Sequence, residues 1–427
     1  MENEYRKRIA DQLLKECLDS AGAVLVEGPK WCGKTTTALH SSKSVVYLND
    51  PQRELEYKTA IDVDPTLLFA GETPHLIDEW QDAPKLWDVA RFLVDRRGKS
   101  GQFIFTGSAV PADTSRIKHS GAGRFAWLKM RPMSLYESSE SNGLISLASL
   151  FNRNIQPESG KAPRMSLRDM AYLMCRGGWP GSLSKLPVSA LKVPQHYIDA
   201  VASTDISRVD GVKRDPSFTK RLLRSYARHQ GAQASIATLR KDLLANGQDS
   251  MSEDTVTSYI EALKKIFVVE DMPAWNPNLR SQTALRTSDT RYFVDPSLAT
   301  AALGLGPDDL MEDLNTYGLL FETLCVRDLR VYADALDGQV FHYRDKTGLE
   351  CDAVVHLRNG QYGLVEIKLG GENLINEGVK TLLSLTKKID TERMREPSFR
   401  MILTAVGEFA YQRADGIWVV PVAALKN

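Results

Sequence analysis

Val24-Leu-Val-Glu-Gly28-Pro-Lys-Trp-Cys-Gly33-Lys34-Thr35-Thr36-Thr37 is the stretch that decides how the chain is read. An apolar run ends in a loop of the form G-x-x-x-x-G-K-T, and a helix-compatible stretch follows. That is the context a phosphate-binding loop requires. Gly28 and Gly33 permit backbone shapes that turn several N–H groups toward one point. The N-terminus of the next helix adds partial positive charge. Pro29, Lys30, Cys32 and Thr36 complete the expected nucleotide cradle. Lys34 is expected to reach the β- and γ-phosphates, and the Thr35 hydroxyl to ligate magnesium. The expected cofactors are ATP and Mg2+.

Further along, Leu76-Ile77-Asp78-Glu79 is an apolar run ending in two acids. Asp78 is placed to hold the metal and Glu79 to polarise an attacking water. In Phe103-Ile-Phe-Thr106-Gly107-Ser108, a polar residue at a strand end can orient that water and sense the γ-phosphate. Ser108 is preferred, with Thr106 as the alternate. Phosphoryl transfer also needs positive charge beyond Lys34. Arg124, in Gly121-Ala-Gly-Arg-Phe125, is the first candidate and Arg131 the second, either acting from a neighbouring subunit.

With 427 residues, the chain exceeds the usual size of one core, so two to three domains are expected. Formal net charge is zero, which excludes a globally basic nucleic-acid binder but allows a local basic face. Cys17, Cys32, Cys175, Cys325 and Cys351 are scattered without C-x-x-C spacing, arguing against a structural zinc site or a disulfide framework. The charged N-terminus does not read as a signal peptide, and no apolar run is long enough to cross a bilayer. A cytoplasmic protein with no membrane partner is expected.

From Ala23 to about Met130, short apolar runs alternate with helical stretches: Ala23–Val26, Val45–Leu48, His75–Ile77, Phe103–Phe105 and Phe125–Met130. This indicates an α/β fold with a largely parallel sheet. Tyr136–Gly143 is polar and turn-rich, a candidate boundary. Residues 144–225 read mostly as helix, broken by a turn at Arg176-Gly-Gly-Trp-Pro-Gly181. Beyond Arg291 strands return at Tyr292–Val294, Val340–Arg344, Cys351–Leu357, Tyr362–Ile367, Met401–Leu403 and Trp418–Pro421, most of them after a long helix at about Asp313–Ala335.

The succession VEGPKWCGKTTTA, HLIDEWQDAP, FIFTGSA and GAGRFAWLKMRPMSLYE resembles a family of bacterial and archaeal AAA-superfamily ATPases that carry a C-terminal domain of unknown function. RGGWP, RYFVDPSLA and GLECDAVV…LVEIKLG follow in the family's order. The resemblance implies a P-loop ATPase whose Walker-B strand is separated from the P-loop strand by the sensor strand. Gly28, Gly33, Lys34, Thr35, Asp78, Glu79, Ser108 and Arg124 occupy the matching positions. The resemblance supplies no substrate.

Gln230–Trp275 resembles a winged helix-turn-helix. Helical Ser235–Leu244 leads through a turn containing Gly247 to a second helix that begins with a Ser252-Glu-Asp cap signal. Ile266–Glu270 is expected to open the wing. Thr255, Thr257, Ser258 and Lys264 would be exposed, and Lys213, Arg214, Lys220, Arg221, Arg224 and Arg228 form a basic stretch able to contact phosphates. The last third resembles a restriction-endonuclease-like core, with Glu322 on a helix, Asp352 on one strand, and Glu366 and Lys368 two apart on the next. A two-residue Asn359-Gly360 turn would set Asp352 opposite Ile367. A three-residue loop Arg358-Asn359-Gly360, with Gly360 left-handed, sets it opposite Glu366, and that loop is expected. Leu349-Glu350-Cys351-Asp352 departs from the Pro-Asp common in that core.

The fold class expected is α/β. An AAA-type ATPase domain spans 1–140, a helical linker 141–225, a winged-helix-like domain 226–285 and a restriction-endonuclease-like domain 286–427. The leading expectation is a Mg2+-dependent ATPase that binds and remodels or translocates DNA as a homo-oligomer, such as a ring. The alternatives are an ATP-dependent nuclease using a second metal site at Asp352, Glu366 and Lys368, or a nucleotide-gated switch for a protein partner.

Overall fold

The computed structural model describes residues 5–109, 121–153, 160–245, 251–276, 288–390, 392 and 394–427. The chain divides into two compact units. The first comprises Met1–Pro132, Ala200–Pro216 and Tyr259–Val268; the second comprises Met133–Asp199, Ser217–Ser258 and Val269–Asn427. Among the described residues, no helix is long and apolar enough to cross a membrane.

The first unit holds strands β1 (Ala23–Glu27), β2 (Ser44–Tyr47), β3 (His75–Asp78), β4 (Phe103–Gly107) and β5 (Phe125–Lys129). They lie in the order β2-β3-β4-β1-β5, every neighbouring pair parallel. Residues of β1, β3 and β4 are buried almost throughout, as strands covered on both faces must be. The strand bearing Asp78 is thus separated from the strand feeding the phosphate loop by β4, as the resemblance implied. Phe69, Trp80, Trp87, Phe103, Phe105 and Phe125 anchor the core, with the Trp87 and Phe125 rings stacked 3.8 Å apart. Helix Leu86–Arg97 ends at Gly98, whose φ of +61° is the left-handed cap that glycine adopts without cost.

In the second unit, RGGWP and the Val294-Asp295-Pro296-Ser297 turn meet, although more than a hundred residues separate them. The Gly178 N–H donates to Asp295 Oδ2 at 3.0 Å, and Trp179 Nε1 donates to Ser297 Oγ at 2.9 Å. Arg327, on helix Leu314–Asp334, locks the junction with ion pairs to Asp295 at 2.8 Å and Asp328 at 2.7 Å.

The winged-helix expectation is corrected in one respect. Helix Glu253–Lys265 is present, and the division between the two units falls within it, at Ser258/Tyr259. Ile266–Glu270 is not a strand. The chain turns after the helix, with Phe267 at φ +57° and the Val268 N–H on the Leu263 carbonyl. Pairing begins only at Val269, which bridges Phe293 antiparallel, and Met272 bridges Thr290. Tyr292–Val294 therefore belongs to this ribbon and not to the C-terminal sheet. The turn containing Gly247 lies outside the described residues.

A short parallel pair joins β6 (Ile145–Ser146) to β13 (Leu425–Lys426). The larger sheet comprises β7 (Gly338–Arg344), β8 (Glu350–Leu357), β9 (Tyr362–Lys368), β10 (Phe399–Thr404), β11 (Tyr411–Gln412) and β12 (Trp418–Pro421), in the order β11-β12-β10-β9-β8-β7. Helices Leu314–Asp334 and Glu372–Lys388 pack against it. The β8–β9 hairpin has the three-residue loop. The Leu357 N–H meets the Gln361 carbonyl at 2.8 Å, and Gly360 sits at φ +84°. Ala353 then faces Val365, and one step outward sets Asp352 level with Glu366.

Candidate active site

The phosphate loop leaves β1 at its C-terminal end and closes into helix Lys34–Ser41. Gly28 has φ +154°, and a Cβ there would lie 2.0 Å from the Met130 carbonyl oxygen. Gly33, at φ +103°, starts the helix from a backbone shape that favours glycine. Trp31, between them, is half-exposed at φ +62°, an outlier for a bulky residue. Lys34 is buried, and its ammonium donates to the Pro29 carbonyl at 2.8 Å across the loop. Lys30 points elsewhere: its ammonium pairs with Asp205 at 2.7 Å. Cys32 is buried with Sγ toward the Met130 carbonyl, and Thr36 is exposed.

The two acids at the end of β3 play different parts. Asp78 is buried and accepts from the Thr35 hydroxyl at 2.8 Å and the Thr106 hydroxyl at 2.5 Å, both on Oδ1. Burial raises its carboxyl above the ordinary aspartate value, and the two hydroxyls only partly offset that. Glu79 leaves the strand in a left-handed turn, φ +56°, and its carboxylate takes partners different from those of Asp78. It accepts from Ser108 Oγ at 3.0 Å and from Gln81 Nε2. Both polar residues expected at the end of β4 are therefore engaged, each with a different acid. Thr106 also receives the Glu79 N–H at 3.3 Å.

A hydroxyl beside a buried carboxylate is the oxygen-donor set that suits a hard divalent cation. Thr35 and Asp78 fit magnesium, whose charge would relieve the burial that raises Asp78. The loop, closing through Gly33 at φ +103° onto the N-terminus of a helix, likewise fits a triphosphate.

Arg124 is not brought to this site within its own chain. It precedes β5, at the end of the sheet remote from the loop, where its guanidinium pairs with Asp95 at 2.8 Å. Arg131 follows β5 at the loop's end of the sheet, and its carbonyl accepts from Arg8. Arg8, Asp205 and Gln81 are the site residues that sequence reasoning missed. Gln81 lies two residues past Glu79 in the HLIDEWQDAP stretch and could have been read there; Arg8 and Asp205 carry no local motif and become visible only when distant segments fold together.

Asp352, Glu366 and Lys368 do converge. The Lys368 ammonium lies 2.8 Å from Glu366 and 3.5 Å from Asp352, and the Ile367 N–H donates to Asp352 at 2.7 Å. Glu322 accepts from the Tyr292 hydroxyl. Burial first, then the Asp352 charge, pushes Glu322 and Glu366 each up to about 8. Among the described residues, no group of three or more His, Cys, Asp or Glu side chains is arranged to hold a metal ion. Lys368 occupies the place between the two carboxylates.

The expected basic face is largely consumed within the chain. Arg214 is buried in a pair with Asp210 at 2.6 Å and lies over the Tyr259 ring. Lys220 pairs with Asp199 and Arg228 with Asp242, each at 2.6 Å. Lys213 and Arg224 are exposed and form no ion pair among the described residues. Thr255, Thr257 and Ser258 are exposed, but on the same helix as exposed Glu253, Asp254 and Glu261, and Lys264 pairs with Glu261 at 3.2 Å.

Residues 20–139 match the model of a family described as AAA domain. Residues 167–309 and 317–425 match two families, each described as a domain of unknown function (DUF8612 and DUF4143). The chain is 25% identical over 421 residues to uncharacterized protein Rv2008c of Mycobacterium tuberculosis and, equally, to uncharacterized protein Mb2031c of Mycobacterium bovis, covering 97% of this chain and 83% of each relative. Among solved structures it is similar to the Walker-type ATPase paby2304 of Pyrococcus abyssi, with 15% identity, a TM-score of 0.43, and coverage of 70% of this chain and 97% of that one. A fainter likeness is to Drosophila ORC bound to DNA, with 12% identity, a TM-score of 0.19, and coverage of 69% and 85%. The AAA domain match, the loop geometry and the strand order together support a P-loop ATPase in the N-terminal unit.

Proposed function

We propose that this chain is a cytoplasmic, Mg2+-dependent ATP hydrolase that works on DNA as a homo-oligomer. The supporting observation is the Thr35–Asp78–Thr106 cluster at the mouth of the phosphate loop, with Glu79 held beside it by Ser108. Magnesium held by Thr35 and Asp78 would supply charge neutralisation on the phosphate oxygens. Lys34, released from the Pro29 carbonyl, carries its charge to the β- and γ-phosphates. Glu79 orients a water in line with the γ-phosphorus and accepts its proton as the new P–O bond forms and the β,γ-bridging bond breaks to release ADP, while Ser108 fixes the carboxylate's direction. A cation from a second copy, Arg124 being the candidate, completes the charge balance.

DNA contacts are proposed at two exposed cations taken separately, Lys213 of the first unit and Arg224 of the second, because the Thr255–Ser258 helix carries too many exposed acids to meet a phosphate backbone. Hydrolysis measured alone and with duplex, branched and single-stranded DNA tests this. Stimulation together with salt-sensitive binding is expected. Turnover indifferent to every DNA, with no salt-sensitive binding, removes the DNA half and leaves a nucleotide-gated switch for a protein partner.

A second reading, nucleic-acid cleavage, rests on the convergence of Asp352, Glu366 and Lys368 at adjacent strand positions. It requires Lys368 to release a carboxylate to a divalent cation. Mg2+- or Mn2+-dependent cleavage lost in Asp352→Ala or Lys368→Ala but kept in Lys34→Ala supports it; no cleavage with either ion rejects it.

A further inference from the structure

Arg8 lies outside every motif of the ATPase, yet its guanidinium is almost wholly buried, with 7% of the residue exposed, on the phosphate loop's own backbone. Nη1 donates to the Cys32 carbonyl at 2.7 Å and Nη2 to the Arg131 carbonyl at 2.8 Å. One planar cation thus ties the loop to Arg131, two residues past the end of the neighbouring strand β5. Its own departure point is fixed as well. The Arg8 N–H donates to Asp11 Oδ2 at 2.8 Å, and Asp11 also accepts from the Tyr5 hydroxyl. That hydroxyl lies 3.0 Å from Thr37 Oγ1 on the helix that follows the loop.

A trans peptide points its C=O and the next N–H in opposite directions. A guanidinium that grips the Cys32 carbonyl therefore turns the Gly33 N–H to the other side of the loop, the side on which a phosphate would be cradled. Gly33 at φ +103° is free to follow. The grip also places a desolvated positive charge behind the anion site, where the low dielectric strengthens its pull. Arginine suits this task because its rigid fork meets two carbonyls at once, which a lysine ammonium on a flexible stem cannot hold in the same geometry.

We infer that Arg8 is a positioning residue of the nucleotide site, which holds the Cys32–Gly33 peptide in its phosphate-binding orientation and adds charge behind it. This rests on the ATPase reading and extends it to a residue 20 positions before the first loop glycine. Its role is in binding, not in the bond-breaking step. ATP and ADP share the β-phosphate that the loop cradles, so both should depend on Arg8 alike.

The test compares full-length wild type, Arg8→Gln, Arg8→Lys and Lys34→Ala. Equilibrium binding of ATP and ADP is read per correctly folded molecule by active-site titration, with KM, kcat and the amide resonance of Gly33 alongside. Arg8→Gln is expected to weaken ATP and ADP binding by similar factors, about tenfold to a hundredfold for lost charge-assisted hydrogen bonds. KM should rise with little change in kcat, and the Gly33 amide should shift. Arg8→Lys should recover part of the affinity. If wild type binds ATP and Arg8→Gln binds it equally well per folded molecule, or loses kcat with KM unchanged, Arg8 has no such role while the ATPase reading stands. If wild type takes up no ATP, both fall.

Discussion

Replacing Arg327 with methionine tests how the second unit is held together. The guanidinium bridges Asp295 and Asp328, and the side chains of all three residues are at most 2% exposed. Methionine fills similar space but leaves two carboxylates in the interior without their cation. Breaking a buried pair in this way costs about 3–5 kcal/mol. The cost depends on pH, and its sign follows from Asp328. Burial pushes that carboxyl up to about 6, although Arg327 and the Leu135 N–H pull it down. The folded value lies above the unfolded value of about 4. The folded state therefore holds the proton more tightly, and this contribution is complete below pH ~4 and lost as pH rises through about 6. Without Arg327 the folded value climbs further, so the loss extends to higher pH. The gap between wild type and variant should thus be widest near pH 8 and narrow by about 1–3 kcal/mol at pH 5, at 1.36 kcal/mol per unit of added shift. Hydrogen exchange of the amides of helix Leu314–Asp334 reads this free energy locally in the full chain. A variant within about 1 kcal/mol of wild type at pH 8, or a gap equal at both pH values, would refute the reasoning.

Glu79→Gln should bind ATP with near wild-type affinity while turnover falls about 10²- to 10⁴-fold, checked by nucleotide binding and phosphate release on the same sample. Gly28→Ala must push its Cβ against the Met130 carbonyl, a backbone atom with little room to yield. Loss of ATP binding and a destabilisation of about 1–3 kcal/mol are expected, read by calorimetry and thermal melting. Lys213→Ala and Arg224→Ala should each lower the slope of log affinity for DNA against log salt by about 1. Arg214→Ala should leave that slope alone and lower stability instead, since Arg214 is buried against Asp210.

All five strands of the first sheet were legible as short apolar runs: β1, β3 and β4 because a strand buried on both faces has no polar alternation to confuse it, and the partly exposed β2 and β5 because their apolar residues still cluster. The Asn359-Gly360 loop was legible for a different reason: only a three-residue connection with a left-handed glycine keeps the acids of β8 and β9 on one face. Ile266–Glu270 misled because its apolar residues pack around a turn at Phe267 instead of extending. The basic stretch misled because charge was counted without its partners. Asp210, four residues before Arg214, was the available signal. The wing partner at Tyr292–Val294 and the junction of RGGWP with Asp295 are long-range pairings that no local pattern encodes. Among the site residues, Lys34, Thr35, Asp78 and Glu79 were readable because their motif fixes both spacing and chemistry. Arg8 and Asp205 were not, because each acts on the loop from a segment remote in the chain.

A triphosphate held by the Gly28–Thr35 loop, with its metal at Thr35 and Asp78, is the central proposal for this chain. Titration calorimetry of ATP into the full chain, with and without Mg2+, alongside Lys34→Ala, tests this most directly. Magnesium-dependent binding by wild type that is lost in Lys34→Ala is the predicted result. No uptake of ATP by wild type, or equal affinity in the two proteins, would contradict it.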